Sequence, residues 1–226
     1  MENSGKNQRQ TEVDKNMSIK VIVATKNQGK IKEIKSIFNF ENWQILTMKE
    51  EGLDPEIIED GKTFEENSLI KARCVREEYL KVKPQDYVNY DKVYVFADDS
   101  GLEVDALNKE PGVLSARYMG EDTSYHIKNQ AIIDRLEGVE EKDRTARFVC
   151  AIAAIDMEGK ETVVRETMEG YIGYKEAGEN GFGYDPIFML PEYGCTSSEI
   201  SMEEKNKISH RGKALRKMME HLTKEQ

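Results

Sequence analysis

Apolar and polar positions along the chain repeat with two different periods. Short runs rich in Val, Ile, Tyr and Phe, bounded by turn residues, predict buried strands, whereas apolar positions spaced three and four apart predict amphipathic helices. Capping-box patterns predict where two of the helices begin. The predicted strands lie at residues 19–25, 43–48, 93–97, 146–155, 162–168 and 187–190, and the predicted helices lie at about residues 30–38, 63–80, 125–136 and 214–222, with a further capped start at residue 201.

The order of these elements predicts the fold class. Strands and helices alternate in the first half, which is typical of parallel strands joined by helices, whereas residues 156–159 are a hairpin signal between two neighbouring strands. The pattern therefore predicts a mixed sheet in an α/β protein. On the third helix, the spacing predicts that Ile127, Ala131 and either Ile133 or Ile132 face the core.

Composition narrows the class of protein. The 226 residues carry a formal charge of −10, which argues against a general nucleic-acid binder, since such proteins need a basic surface for phosphates. No apolar run is long enough to cross a bilayer, so we expect no membrane partner. Three widely spaced cysteines favour a reducing, cytoplasmic location. Residues 1–18 are almost entirely polar, which predicts a disordered extension before a single domain at 19–226.

The strand predicted at residues 93–97 is followed at once by Asp98, Asp99, Ser100 and Gly101. Nothing in a packed strand calls for two neighbouring carboxylates, so we expect them in the crevice at the carboxyl end of the strand. Two close carboxylates repel each other, and a divalent cation such as Mg²⁺ would reduce this repulsion by binding both. The same four residues also make a good turn, so a plain strand-to-turn junction stays open at this point.

Three further stretches carry side chains that suit a nucleotide. The turn at residues 26–30 leads into a helix whose N-terminus can bind phosphate, although many solvated turns also contain two lysines. Glycines at 177–186 flank Phe182 and Tyr184, whose rings could stack on a base or anchor an ordinary loop. The basic stretch at 205–212 predicts a site that binds an anion or the edge of a nucleotide base. It could equally be a solvated surface patch.

Five motifs occur together in one order along the chain. They are residues 24–30 (ATKNQGK), 61–67 (GKTFEEN), 97–102 (ADDSGL) with Pro111-Gly112 and residues 115–118 (SARY), 181–188 (GFGYDPIF), and Glu204-Lys205 with residues 209–212 (SHRG). Each motif is short, but their order and spacing are specific. The chain resembles the non-canonical purine nucleoside triphosphate pyrophosphatases, the inosine/xanthosine triphosphatase family, from about residue 19 to residue 222.

The resemblance implies a fold and a reaction. The fold is an α/β enzyme with a central curved mixed sheet flanked by helices, and with two lobes that hold an active-site cleft between them. The implied reaction cleaves the α–β phosphate bond of ITP, dITP or XTP to give the monophosphate and pyrophosphate, in an enzyme that is usually a homodimer. By matching position, Asp99 is the general base and an Mg²⁺ ligand, and Glu59 is expected as the second ligand.

The resemblance also assigns the remaining site residues. Lys205, His210 and Arg211 are expected to contact the base. The residues expected to hold the triphosphate are Thr25, Lys26, Asn27, Gln28, Gly29, Lys30 and Ser100, and those expected to line the nucleoside pocket are Phe182, Gly183, Tyr184 and Asp185.

Three other functions compete with this one. A phosphatase with an aspartyl nucleophile needs carboxylates two residues apart, whereas Ser100 stands two residues after Asp98. A pyrophosphatase for modified pyrimidines leaves the stretch at 209–212 without a role. The main alternative is a non-catalytic purine nucleotide sensor, which would keep the pocket but would not hydrolyse the ligand.

Overall fold

The computed structural model describes residues 17–38 and 41–224. Within these ranges one open seven-stranded sheet has the strand order β2-β1-β3-β4-β5-β6-β7, and α-helices pack against it. The strands are β1 (Ile19–Val23), β2 (Trp43–Thr47), β3 (Lys92–Val104), β4 (Thr145–Asp156), β5 (Glu161–Ile172), β6 (Phe188–Leu190) and β7 (Cys195–Thr196). The helices are α1 (Gln28–Ile37), α2 (Phe64–Val82), α3 (Tyr125–Arg135), α4 (Met202–Ile208) and α5 (His210–Lys224).

The pairing of the strands makes the sheet mixed. Strand β1 runs parallel to both β2 and β3, whereas β3 pairs antiparallel with β4 and β4 pairs antiparallel with β5. The turn between β4 and β5 contains Gly159, whose φ of 93° lies in the left-handed region that glycine tolerates. The α/β class with a mixed sheet and the hairpin at 156–159 are therefore confirmed.

The core has one layer on each face of the sheet. Helices α1 and α5 cover one face, where Phe96 of β3 is buried, and α2 covers the other face, where Val95 is buried. Successive side chains of a strand point to opposite faces. Continuing this alternation along β3 places Asp98 on the α1/α5 face and Asp99 on the α2 face.

Strand β3 does not end where the sequence predicts. It continues through both aspartates to Val104, because β4 still pairs with it there, with Asp98 opposite Ile152 and Asp99 opposite Ala151. Its parallel neighbour β1 stops at Val23, which is level with Phe96. The two carboxylates therefore lie within a strand, just beyond the point where the end of β1 opens a crevice.

Both predicted capping boxes begin a helix in the structure, whereas one predicted core position is wrong. Thr63 Oγ1 accepts a hydrogen bond from the Glu66 backbone N–H at 3.1 Å, and this capping box begins α2 as predicted. Ile127 of α3 is 51% exposed, so its predicted inward position is wrong. Ile132, one of the two predicted alternatives, is buried, and Lys128 is buried as well. The Lys128 ammonium donates to the Ala116 carbonyl, which gives this buried cation a hydrogen-bond partner.

The expected N-terminal extension is described only at its end. Met17 packs against the core of the α1/α5 face, and the Ser18 backbone N–H donates to the Asp91 carboxylate at 2.7 Å. Residues 1–16 lie outside the described residues. None of the described helices combines the length and the apolarity that crossing a membrane requires.

Candidate active site

A cavity of about 510 Å³ opens at the end of β1 and is lined by residues that are far apart in the sequence. It brings together every residue that the motifs assigned to a site, apart from Gln28 and Gly29. The predicted residues that line it are Thr25, Lys26, Asn27, Lys30, Glu59, Asp99, Ser100, Phe182, Gly183, Tyr184, Asp185, Lys205, His210 and Arg211.

The phosphate turn is held by its own side chains. Asn27 caps α1, because its Oδ1 accepts from the Lys30 backbone N–H at 3.1 Å, and Thr25 Oγ1 accepts from the Asn27 N–H at 3.2 Å. These bonds place the N-terminus of α1 at the rim of the cavity, where its partial positive charge attracts anions. Gln28 is exposed at this rim, and within the described part of the chain its side chain bonds the Lys26 carbonyl alone, at 3.4 Å.

The negative charge of Asp98 is balanced by cations on the α1/α5 face of the sheet. Its carboxylate pairs with Lys30 and with Arg211 Nε at 3.2 Å, and it accepts from Cys150 Sγ at 3.0 Å. Burial alone would raise the pKa of Asp98, but the charges of Arg211 and Lys30 hold it well below its usual range. Asp98 therefore stays ionised and acts as the counter-ion of two buried cations.

Asp99 faces α2 and has different partners. Lys71 Nζ lies 3.0 Å from Asp99 Oδ1, and Asn67 Nδ2 donates to the other oxygen at 3.2 Å. Burial raises the pKa of Asp99 above its ordinary value, although the Lys71 charge opposes this shift. A carboxylate whose pKa is raised is a stronger proton acceptor than an ordinary one.

The expectation that the two neighbouring aspartates share one divalent cation is wrong. Because they alternate across the sheet, each carboxylate meets its own ammonium group, Lys30 for Asp98 and Lys71 for Asp99. The carboxylate that joins Asp99 is instead Glu59, whose Oε2 lies 2.7 Å from Lys71 Nζ. Glu59 and Asp99 thus converge on one cationic group.

This carboxylate pair suits a hard cation. Among the residues that the structure describes, no group of three His, Cys, Asp or Glu side chains could hold a metal ion. Mg²⁺ does not require such a group, since it commonly takes one or two carboxylates and completes its shell with phosphate oxygens and water. Asp99 and Glu59 are the donors that fit it in this cleft.

The cleft also holds an aromatic ring beneath two cations. Phe182 has Lys205 Nζ 5.3 Å from its ring centroid and the Arg211 guanidinium 5.9 Å away. The ring packs against Gly29, where an added Cβ would come within 2.9 Å of Phe182 Cδ1. Gly29 therefore makes room for the ring. Asp185 is almost fully buried, and its Oδ2 anchors the loop by accepting from the Phe182 N–H at 2.8 Å and from Lys205 at 2.6 Å.

His210 and Arg211 form the first turn of α5, whereas the sequence places them between two helices. His210 stacks on Phe148 with ring centroids 5.0 Å apart, and burial lowers its pKa well below the usual value, so it is neutral. Arg211 bonds Glu33 and donates from Nη2 to Ser100 Oγ at 2.9 Å. Ser100 Oγ thus accepts a bond from a protein cation, and its O–H donor is still available to a phosphate oxygen.

Several contacting residues were missed by the motif reasoning. Asn67 and Lys71 lie on the buried face of α2, in phase with Phe64 and Ala72. A lysine and an asparagine at core positions of an amphipathic helix are a visible signal, because ionised groups are rarely buried without a partner. Glu33 and Cys150 gave no comparable signal, since their partners come from distant parts of the chain.

The fold and the cleft define a class of α/β protein whose cavity is lined by a helix N-terminus, buried carboxylates and an aromatic ring. The model of the Ham1 family matches residues 21–221. The chain is 44% identical over 203 residues to a dITP/XTP pyrophosphatase from Clostridium perfringens, covering 90% of this chain and 97% of that one. It is 43% identical over 198 residues to the dITP/XTP pyrophosphatase of Bacillus subtilis, covering 87% and 93%.

A solved structure agrees with these relatives. The Ham1 protein from Staphylococcus aureus superposes with a TM-score of 0.77 at 37% identity, covering 92% of this chain and 100% of that one. The chain belongs to the Ham1 family. The family expected from the motifs is confirmed, and with it the enzyme class, a hydrolase acting on acid anhydrides.

Proposed function

We propose that the protein hydrolyses non-canonical purine nucleoside triphosphates such as dITP, ITP and XTP to the monophosphate and pyrophosphate, and so removes them from the nucleotide pool. One observation carries the proposal. Asp99, an acid whose pKa is raised, opens onto the same cavity as a phosphate-binding helix N-terminus and an aromatic ring beneath two cations. The names of the curated relatives support this substrate class.

The base binds at the Phe182 end of the cleft. Its flat face stacks on the ring, and its edge meets the donors of Lys205, His210 and Arg211. Arg and Lys donate hydrogen bonds and accept none, so they suit the 6-oxo acceptor of hypoxanthine and xanthine. The 6-amino group of adenine would leave such a donor unpaired in a buried site, which disfavours ATP.

The triphosphate binds across the cavity between the N-terminus of α1 and the Glu59 side, with the α-phosphorus beside Asp99. Asp99 accepts a proton from a water molecule, whose oxygen then bonds to the α-phosphorus. The bond from that phosphorus to the bridging oxygen breaks, and pyrophosphate leaves with the bonding electrons. Lys71 and Asn67 each hold one oxygen of Asp99, so the carboxylate is oriented before the substrate arrives.

We propose Mg²⁺ as the cofactor, held by Asp99 and Glu59. Bound there, it would neutralise charge on the phosphate oxygens, which otherwise repel an incoming water. Lys71 already bridges the two carboxylates, which supports a cation-binding role for the pair. A homodimeric assembly, a cytoplasmic location, the absence of a nucleic-acid partner and a single domain at 19–226 stay predictions.

Pyrophosphate release from a panel of nucleotides tests the proposal. With Mg²⁺ present, dITP and XTP are expected to give one pyrophosphate per monophosphate. ATP is expected to react with a kcat/KM at least about 100-fold lower, because its amino group meets donors. Tight binding of dITP without any pyrophosphate would overturn the proposal and favour the nucleotide sensor.

A further inference from the structure

Arg117 differs from the other cations of the cleft in having no carboxylate partner. Among the described residues it forms no ion pair, and its guanidinium makes one hydrogen bond, from Nη2 to the Glu59 carbonyl oxygen at 3.1 Å. The other cations that line the cavity are all paired, as Lys26–Asp54, Lys30–Asp98, Lys71–Asp99, Lys205–Asp185 and Arg211–Asp98.

The free donors of Arg117 suit a phosphate group. A guanidinium carries five N–H donors in a planar fork, and one hydrogen bond to a carbonyl leaves most of them unused. The fork matches two oxygens of one phosphate, and its positive charge is not cancelled by a neighbouring acid. Arg117 therefore offers the cleft a cation whose attraction is still available to an anionic ligand.

The position of Arg117 indicates which phosphates of a bound substrate it would contact. It bonds the backbone of Glu59, whose carboxylate meets Lys71, and Lys71 in turn meets Asp99. Arg117 is thus on the α2 side of the cleft, whereas the cations around Phe182 lie on the other side. A substrate with its base at Phe182 and its α-phosphorus at Asp99 extends its leaving group past Asp99, toward the Glu59 side.

The backbone beside Arg117 is held rigidly. The Tyr184 hydroxyl donates to the Ser115 carbonyl at 2.7 Å, and Lys128 Nζ donates to the Ala116 carbonyl at 2.7 Å. Lys128 is 1% exposed, and burial lowers its pKa. A buried ammonium and a buried hydroxyl therefore hold the two residues before Arg117, which is the preorganisation that a binding group requires.

We propose that Arg117 binds the pyrophosphate that leaves in the reaction. This role rests on the proposed function. As the bond from the α-phosphorus to the bridging oxygen breaks, the electron pair moves onto that oxygen, and the Arg117 guanidinium stabilises the negative charge of the leaving pyrophosphate. The nucleoside monophosphate stays at the Phe182 end and makes no contact with Arg117.

Product inhibition separates this role from a structural one. Arg117→Gln is expected to raise the inhibition constant of pyrophosphate by about 10- to 100-fold, because a charge-assisted contact is lost, and to leave that of dIMP unchanged. Arg117→Lys is expected to restore part of the affinity, because it keeps the charge. Arg73→Gln is the matched control, since Arg73 is exposed on α2 outside the cavity and pairs with Glu161.

Two results would overturn the role of Arg117. One is equal weakening of pyrophosphate and dIMP, which would indicate a collapsed cleft. The other is unchanged pyrophosphate inhibition with a lower kcat, which would mean that Arg117 acts only through Glu59. If no variant and no wild-type protein hydrolyses dITP, the proposed function fails by itself, and calorimetric titration with pyrophosphate still decides whether Arg117 binds it.

Discussion

Replacing Asp99 with Asn is expected to lower kcat for dITP hydrolysis by about 10²- to 10⁴-fold while the protein stays folded. An amide cannot accept the proton of the attacking water at neutral pH. The loss of charge is tolerated structurally, because Lys71 keeps Glu59 as a partner 2.7 Å away. KM is expected to change less than kcat, since the base and most phosphate contacts are elsewhere in the cleft.

Steady-state kinetics and thermal unfolding of the same samples check this expectation. The matched control is Asp134→Asn, which removes an exposed carboxylate that bonds only Gln130. In the wild-type protein, kcat/KM is expected to fall on the acid side as Asp99 of the free enzyme becomes protonated, at a pH above the range of an ordinary aspartate. A variant with kcat within tenfold of wild type would remove Asp99 from the role of general base.

Replacing the neighbouring Asp98 with Asn is expected to lower the stability of the fold, whereas Asp99→Asn is expected to lower activity in a folded protein. The free energy of unfolding should fall by about 3–5 kcal/mol, because a buried pair broken on one side leaves an uncompensated charge. Arg211 is 2% exposed and Asp98 is 3% exposed, so water cannot replace the lost carboxylate. Arg211 would keep Glu33, while Lys30 would keep no acidic partner among the described residues.

Urea unfolding at neutral pH measures this loss, with Asp99→Asn as the matched comparison. The pKa of Asp98 is depressed in the folded state, so its stabilising contribution is complete above the unfolded value of about 3.9 and is lost as the pH falls below it. The difference between wild type and Asp98→Asn should therefore be constant near neutrality and shrink in acid. Equal losses of stability for both variants would contradict the division of the two aspartates between the faces of the sheet.

Local signals in the sequence predicted much of the fold. The capping residue Thr63 begins α2, and the hairpin signal at 156–159 joins β4 and β5, because caps and turns depend on residues close in sequence. The apolar run of β3 was recognised for the same reason. The unbroken strand through both aspartates was not, since it depends on pairing with β4 as far as Val104.

The partners of the site residues could not be predicted in the same way. Lys30, Lys71 and Arg211 each meet an aspartate from a distant part of the chain, and such contacts depend on how helices pack on each face of the sheet. The motif order nevertheless identified which stretches meet in the cleft. The motif order did not predict that Asp98 balances the charge of nearby cations, whereas Asp99 faces Glu59 and Lys71.

The most direct measurement of the central claim is the position of the oxygen that water delivers. Hydrolysis of dITP is run in ¹⁸O-labelled water, and both products are analysed by mass spectrometry. Attack at the α-phosphorus beside Asp99 predicts one labelled oxygen in dIMP and unlabelled pyrophosphate. Label in pyrophosphate, or release of orthophosphate with dIDP, would place the attack at another phosphorus and contradict the account.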